Sequence, residues 1–189
     1  DFLDYSSWLY GCCMAMIKLG DKLPNLTGQS QLGDFHLYDY VGNSWTIIFC
    51  SPGALQAVPS SEVSQAAHMK KEFVKRGVKV CCLVCSPISA VHVWMDDIKA
   101  ISEEQPDFPV VADPDFDLSL QLGTAVPDDL GHPLPPAART LYLAGPGGRV
   151  TFVQTYPMTS GYSFEEVLRV IDASQKVSAH RAPGPGRAP

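Results

Sequence analysis

The sequence contains six cysteines, the side chains best suited to nucleophilic or redox chemistry, at positions Cys12, Cys13, Cys50, Cys81, Cys82 and Cys85. Cys82 and Cys85 form a Cys-x-x-Cys motif, which acts as a redox dithiol where it begins a helix. Here the motif overlaps the apolar run Val78–Val84, which is typical of a buried strand. On a strand, residues three apart face opposite sides and lie about 10 Å apart, beyond disulfide reach. We therefore predict core packing for these cysteines, no disulfide framework, and a reducing intracellular compartment.

Metal-binding patterns are incomplete. Cys12 and Cys13 lack a second spaced pair of cysteines and a nearby histidine, which a zinc site would need. The alternating aspartates from Asp113 to Asp117 resemble the start of a calcium loop, but Leu118 stands where its glycine belongs. We therefore expect no metal and no cofactor.

Charge and hydropathy exclude two classes of partner. Fourteen basic and twenty acidic side chains give a net charge of −6, so a basic nucleic-acid-binding face is not expected. No apolar run is long enough to span a bilayer. The apolar stretch from Trp8 to Ile17 is short and has no basic residues before it, so it predicts neither a membrane helix nor a signal peptide. We expect no nucleic-acid or membrane partner, and a cytoplasmic location.

The elements that position these side chains alternate between buried strands and amphipathic helices. The patterns predict strands at 45–50, 78–84, 108–111, 140–144 and 150–153, and helices at 60–77, 88–104, 116–122 and 163–171. Gly145–Gly148 predicts the turn of a hairpin, and Ser163 with Glu166 forms a capping box. This order indicates an α/β sandwich with a mixed central sheet flanked by helices.

The composition divides the chain into three parts. Residues 1–18 form an appended N-terminal segment without a clean period, residues 19–175 form one domain, and residues 176–189 form a Pro/Gly-rich tail. The end of the tail, Ala182–Pro189, has nothing to bury and is predicted to be disordered on its own.

Several short stretches within residues 19–175 match those of one known family in register. They are Leu19–Asn25, Tyr38–Trp45, Pro52–Glu62, Glu72–Lys79, Pro109–Asp113, Ala138–Arg139 and Tyr156–Gly161. On these stretches the chain resembles the peroxiredoxin (AhpC/TSA) family, most closely its one-cysteine, peroxiredoxin-6-like branch. The resemblance implies a thioredoxin-like fold, and the activity associated with the family is peroxide reduction by a cysteine thiolate.

The family's site follows the pattern Pro-x-x-x-Thr/Ser-x-x-Cys, in which the cysteine begins a helix and its thiolate is stabilised there. By this resemblance Pro52 matches the proline, Gln56 stands at the Thr position, and Pro59 stands at the position of the peroxidatic cysteine. Proline has no nucleophile, but it suits the first turn of a helix. The resemblance therefore implies a retained scaffold without its chemistry.

The other site positions are only partly retained. Arg139 matches the arginine that activates the thiolate, and we expect it to bond carbonyls or pair with Glu62 instead. Tyr162 stands at the position of the second arginine. The branch also has a phospholipase-like Ser-His-Asp constellation, of which Ser44 matches the serine, while Tyr38 and Gly147 replace the other two. A serine without a base is a weak nucleophile, so this activity is not expected.

These observations favour a catalytically inactive peroxiredoxin-like protein that acts as a binding or structural component of a larger assembly, cytoskeletal or other. Its partners would be proteins, including a second copy through the peroxiredoxin-type interface. The alternative is a residual thiol peroxidase in which Cys50, at the end of the strand that leads to the site, replaces the missing cysteine. A third alternative is a chain without a selected function.

Overall fold

The computed structural model describes residues 16–102, 105–136 and 138–181. Most of the predicted appended segment, with Cys12 and Cys13, lies outside the described residues, and so does the predicted disordered end of the tail at 182–189. Of the appended segment, only residues 16–18 are described. Ile17 is buried there and packs against the main body of the protein.

Nine strands and six helices make up the described part of the chain. The strands are β1 (Thr27–Ser30), β2 (Gly33–His36), β3 (Trp45–Ser51), β4 (Val78–Val84), β5 (Val110–Ala112), β6 (Val126–Pro127), β7 (Pro133–Leu134), β8 (Ala138–Ala144) and β9 (Val150–Pro157). The helices are α1 (Leu37–Val41), α2 (Ala57–His68), α3 (Lys70–Lys75), α4 (Ile88–Ile101), α5 (Asp117–Gln121) and α6 (Phe164–Arg181).

Seven of the strands form the central sheet, in the order β2-β1-β5-β4-β3-β8-β9. The three central strands β3, β4 and β5 are parallel, and the pairs at both sides are antiparallel. The prediction of a mixed sheet flanked by helices is therefore confirmed. Strands β6 and β7 pair separately as a small ribbon.

The sheet separates two hydrophobic cores, because successive side chains of a strand point to opposite faces. On β3, Ile47 and Phe49 pack with α2, α3, α4 and α6, on what we call the long-helix face. Ile48 and Cys50 pack with α1, α5 and residues 17–26, on what we call the short-helix face. Every residue of β3 is buried, which explains why its sequence is a continuous apolar run.

Several predicted boundaries differ from the structure, and those of the helices around α2 and α6 differ most. The helix predicted at 60–77 begins earlier, at Ala57, because a proline at its third position needs no N–H partner. It is also divided at Met69, whose φ of −84° and ψ of 2° separate α2 from α3. The last helix continues past Ile171 and across residue 175 to Arg181. The side chain of Gln175 anchors this extension by donating to the carbonyl of Arg76 at 2.7 Å.

Two further differences lie at short elements. The strand predicted at 108–111 is observed at Val110–Ala112, and the helix predicted to begin at Phe116 begins one residue later. Phe116 instead caps α5 in the left-handed region, with φ of 61°. The hairpin of β1 and β2 and the following helix α1 were not predicted, because these segments are too short to show a period.

Candidate functional site

The family resemblance places the site at the carboxyl end of β3, where the chain enters α2. Gln56 is the residue before the helix, with an extended backbone, and its carbonyl accepts the amide of Ser60 at 3.0 Å. Pro59 is buried in the first turn of α2. The loop between strand and helix is held by the amide of Ala54, which donates to Ser86 Oγ at 3.0 Å.

A buried ion pair joins α2 to the sheet beneath this turn. The guanidinium of Arg139 on β8 contacts the carboxylate of Glu62, and the side chains are only 1% and 3% exposed. Of the two roles predicted for Arg139, bonding carbonyls or pairing with Glu62, the structure shows the pairing. The other carboxylate oxygen of Glu62 accepts the backbone amide of Tyr162 at 2.9 Å. The carboxylate therefore fixes both β8 and the segment that precedes α6.

Tyr162 covers the arginine from the side of α6. Its ring centroid lies 5.5 Å from Arg139 Cζ, a cation–π contact, and its hydroxyl donates to the backbone carbonyl of Cys50 at 2.8 Å. The ring also packs against the edges or tilted faces of three aromatic neighbours: Phe49, Tyr156 and Phe164. Tyr162 is only 5% exposed, so it occupies this space as part of the core.

Burial shifts the pKa values of two side chains in this cluster. Burial raises the pKa of Tyr162 well above its ordinary value, so its hydroxyl stays protonated and remains a hydrogen-bond donor. Burial lowers the pKa of Arg139, and its contact with Tyr162 opposes that shift. The charge of Arg139 is met by Glu62 and its face is covered by Tyr162, but its buried Nε has no hydrogen-bond partner within the described residues.

The thiol of Cys50 lies on the other side of the sheet from α2. It packs in the short-helix core and is 3% exposed, and burial raises its pKa well above the ordinary value. Only its backbone carbonyl contributes to the cluster around Arg139, through the hydroxyl of Tyr162. The structure therefore brings together Pro59, Glu62, Arg139 and Tyr162, but places the sulfur of Cys50 elsewhere.

The Cys-x-x-Cys motif is divided between the two faces, as the strand pattern predicts. Cys82 packs in the long-helix core, whereas Cys85 lies just beyond β4 with its sulfur 3.4 Å from Ser119 Oγ of α5. The four cysteines within the described ranges are free thiols. Burial raises the pKa of Cys85 to about 11 and that of Cys81 to about 12. All four thiols are therefore protonated near neutral pH.

Cys85 is the most accessible of these four thiols and is only partly buried, so the predicted core packing does not hold for it. Its position one residue past the apolar run of β4 was the available signal, because strand ends meet the surface of a sheet. Ser119 in turn donates to the buried carboxylate of Asp113 at 2.7 Å, which orients the hydroxyl beside the sulfur. Within the described residues, no group of His, Cys, Asp or Glu is arranged to hold a metal ion.

The Ser-His-Asp constellation of the one-cysteine branch is incomplete in the structure, as it is in the sequence. Tyr38 and Gly147 line a small pocket on the short-helix face. The hydroxyl of Tyr38 is already engaged, since it donates to the carbonyl of Leu23 at 2.7 Å. Ser44 is not among the residues that line the pocket, and the lining contains no histidine or carboxylate. The arrangement offers no base for a serine nucleophile.

Comparison with known proteins identifies the family. The model of the AhpC/TSA family matches residues 19–153. The chain belongs to the AhpC/TSA family. This member is 36% identical over 171 residues to a probable 1-Cys peroxiredoxin of Syntrichia ruralis, over 88% of this chain and 78% of that protein. It is 34% identical over 167 residues to peroxiredoxin-6 of Gallus gallus, over 86% of this chain and 75% of that protein.

Solved structures agree with the family and its thioredoxin-like fold. A cysteine-to-serine mutant of peroxiredoxin 6 from Arenicola marina superposes with a TM-score of 0.76 at 31% identity, over 90% of this chain and 81% of that chain. The yeast mitochondrial 1-Cys peroxiredoxin superposes with a TM-score of 0.80 at 27% identity, over 91% and 85% of the two chains. The predicted resemblance to one-cysteine peroxiredoxins is confirmed. None of the described helices has the length and apolar composition needed to cross a bilayer.

Proposed function

We propose that this AhpC/TSA family member is catalytically inactive and acts as a binding or structural component of a larger protein assembly. Its partners are proteins, with a second copy through the peroxiredoxin-type interface as one of them. Its place of action is intracellular, in the cytoplasm or a cytoskeletal or other assembly. A peroxidase of this family reduces peroxide through a cysteine thiolate, and by resemblance this chain has Pro59 at the position of that cysteine.

The proposal rests on one observation: the space at the start of α2 is filled by side chains that offer no nucleophile. We call this cluster of Pro59, Glu62, Arg139 and Tyr162 the closed site. Pro59 fills the first turn of α2, where the resemblance expects the thiol, and it offers no nucleophile. Arg139 is paired with Glu62 and covered by Tyr162, which is itself buried. Peroxide would therefore find neither a thiolate nor an accessible guanidinium at this end of β3.

The alternative, a residual peroxidase that uses Cys50, has less support. A peroxidatic cysteine needs a lowered pKa and access to solvent, because the thiolate is the nucleophile. Cys50 is buried and its pKa is raised. Its sulfur also lies across the sheet from Arg139, so the guanidinium is not placed to stabilise a thiolate there.

A groove beside the closed site supports the binding role. It lies between α2 and α4 and has a volume of about 500 Å³. Leu55 and Ile101 line it and are 53% and 87% exposed, while Trp94 forms its floor and donates to Ser60 Oγ at 2.8 Å. Large apolar side chains left exposed around a groove are typical of protein interaction surfaces.

Peroxide consumption tests the proposal directly. The purified chain, reduced beforehand, is expected to consume hydrogen peroxide no faster than free cysteine at the same thiol concentration. A chain carrying Gln56→Thr, Pro59→Cys and Tyr162→Arg together restores the groups that the resemblance expects, and we expect it to consume peroxide faster. Turnover by the unaltered chain well above free cysteine, abolished by Cys50→Ser, would instead establish the residual peroxidase.

A further inference from the structure

The groove between α2 and α4, which we call the α2–α4 groove, has two unlike walls. The wall on α2 consists of small side chains at helical spacing: Ala57, Ser60, Ser61 and Ser64. The distance at which two helices pack depends on the side chains at their contact, so small ones allow another helix to approach closely. The α2 wall is therefore low, and the apolar contacts of the groove are concentrated on the other wall.

The wall on α4 alternates apolar and acidic side chains along one stripe. Val93, Asp97 and Ile101 follow each other at intervals of four residues, and all three are exposed. Residues four apart on a helix lie on one face, about 6 Å apart along its axis. Trp94 and Ile98 already supply the buried face of α4, so the stripe is not required for the core. It forms an apolar surface with one carboxylate at its middle.

That carboxylate has no counter-charge. Among the described residues that line the groove, Asp97 carries the only charged side chain. It takes part in none of the ion pairs found within the described ranges. Lys99 is two positions further along α4, and residues two apart on a helix do not face each other. The groove therefore favours an apolar partner that brings a cation to Asp97.

Leu55 adds a further apolar side chain at the rim of this groove. Its φ of 59° lies in a region that disfavours leucine, yet the side chain is 53% exposed rather than packed in the core. Strained backbone of this kind is concentrated at binding and active sites. Leu55 thus presents apolar surface that is not buried within the chain and that a partner would cover.

We propose that the α2–α4 groove binds an amphipathic helix of a partner protein, with aliphatic side chains on Leu55 and Ile101 and a lysine or arginine against Asp97. A helix is the favoured partner because both walls are helices, and a helix in such a groove presents a row of apolar anchors at helical spacing. The proposal rests on the binding role proposed above and deepens it by naming the chemistry of the partner.

Two synthetic peptides serve as probes. Each is a helix of about 18 residues with the same row of leucines at helical spacing, flanked by lysines in one peptide and by glutamates in the other. We expect the full, unaltered chain to bind the lysine peptide about fivefold more tightly than the glutamate peptide, measured by fluorescence anisotropy. Asp97→Lys should reverse this order, because it repels the lysines and attracts the glutamates.

Asp96→Lys is the matched control for the charge. Asp96 is the neighbouring exposed acid on α4 and is not among the residues that line the groove. The substitution changes the net charge by the same amount as Asp97→Lys, so it lowers the general attraction for a basic peptide. The lysine peptide should nevertheless remain the preferred one.

A second pair of variants tests the apolar contact. Ile101→Ser should weaken the binding of both peptides about tenfold, because it removes an aliphatic side chain from the groove. Leu130→Ser is the control, since Leu130 is 81% exposed, against 87% for Ile101, and lies between β6 and β7. It should weaken neither peptide.

Four results would overturn the proposal. Neither peptide could bind the unaltered chain, or both could bind it equally well. Asp96→Lys could change the preference as much as Asp97→Lys, which would assign the attraction to the overall charge of the chain. Self-association that Ile101→Ser abolishes would place a second copy in the groove instead of a partner helix.

The peptide and peroxide measurements fail separately. A chain that consumes peroxide and still shows the reversal by Asp97→Lys would contradict the proposed inactivity but not the groove. A chain that is inactive and shows no reversal would contradict the groove alone.

Discussion

The two faces of the central sheet differ in whether the space beside the sheet is filled by side chains. At the carboxyl end of β3, the long-helix face is filled by Tyr162, and the charge of Arg139 is met by Glu62. The short-helix face keeps an apolar pocket, and Lys22, which lines it, has no carboxylate partner in the part of the chain that the structure describes. The comparison shows that the cluster around Arg139 belongs to the core, whereas the short-helix face keeps an open apolar pocket.

The ion pair on the filled face should give the largest effect. Glu62→Gln leaves the guanidinium of Arg139 buried without a counter-charge, and we expect a loss of about 3–5 kcal/mol in the free energy of unfolding, measured with urea. The control is Glu166→Gln, which removes a partner of Arg169 at an exposed pair. An equal, small effect of both substitutions would show that the buried pair does not hold this face together.

Removal of the Tyr162 side chain tests whether this residue fills the site. Tyr162→Ala should cost about 3 kcal/mol of unfolding free energy, because the cavity beside Arg139 cannot collapse fully. Tyr162→Phe keeps the ring and loses only the hydrogen bond to the Cys50 carbonyl, so it should cost about 1 kcal/mol. If Tyr162→Ala costs no more than Tyr162→Phe, the ring does not fill the site.

Alkaline pH should destabilise both faces, because buried thiols occur on each. The pKa of Cys81 is raised from its ordinary value of 9.0 to about 12, so above pH 9 the unfolded chain loses this proton before the folded chain does. The folded state then binds more protons, and stability falls as pH rises from 9 toward 12, by about 1.4 kcal/mol per pH unit for such a group.

Urea unfolding at pH 7 and pH 10 measures this loss. Cys81→Ala should make the fall between the two pH values smaller than in the unaltered chain, by the contribution of this one thiol. Cys85→Ala should act in the same direction, because the pKa of Cys85 is raised to about 11. If the unfolding free energy of a variant falls as steeply with pH as that of the unaltered chain, burial does not raise the pKa of that thiol.

The loop over the closed site should give the smallest effect. Leu55 has φ of 59°, in the left-handed region that disfavours side chains, and it is exposed. Leu55→Gly should therefore raise the unfolding free energy by up to about 1 kcal/mol, whereas Leu55→Ala keeps the β-carbon and should not. Equal effects of the two substitutions would show that this backbone carries no strain.

The sequence predicts the central sheet well, because β3, β4 and β8 are buried runs whose pattern does not depend on distant contacts. It also predicts that Arg139 bonds carbonyls or pairs with Glu62, and the structure shows the second of these. The role of Tyr162 is not predicted, because its ring meets Arg139 and the Cys50 carbonyl only after the sheet and α6 have packed. The length of α6 is missed for the same reason, since Gln175 finds its partner at the end of α3.

The central claim is that none of the four described cysteines acts as a peroxidatic thiol. Trapping of sulfenic acid, followed by mass spectrometry after brief exposure to micromolar hydrogen peroxide, tests it most directly. We predict that none of the four described cysteines is modified faster than the thiol of an unstructured peptide, because these thiols are protonated and mostly buried. Rapid labelling of Cys50 alone would contradict the account and show that the scaffold is still an enzyme.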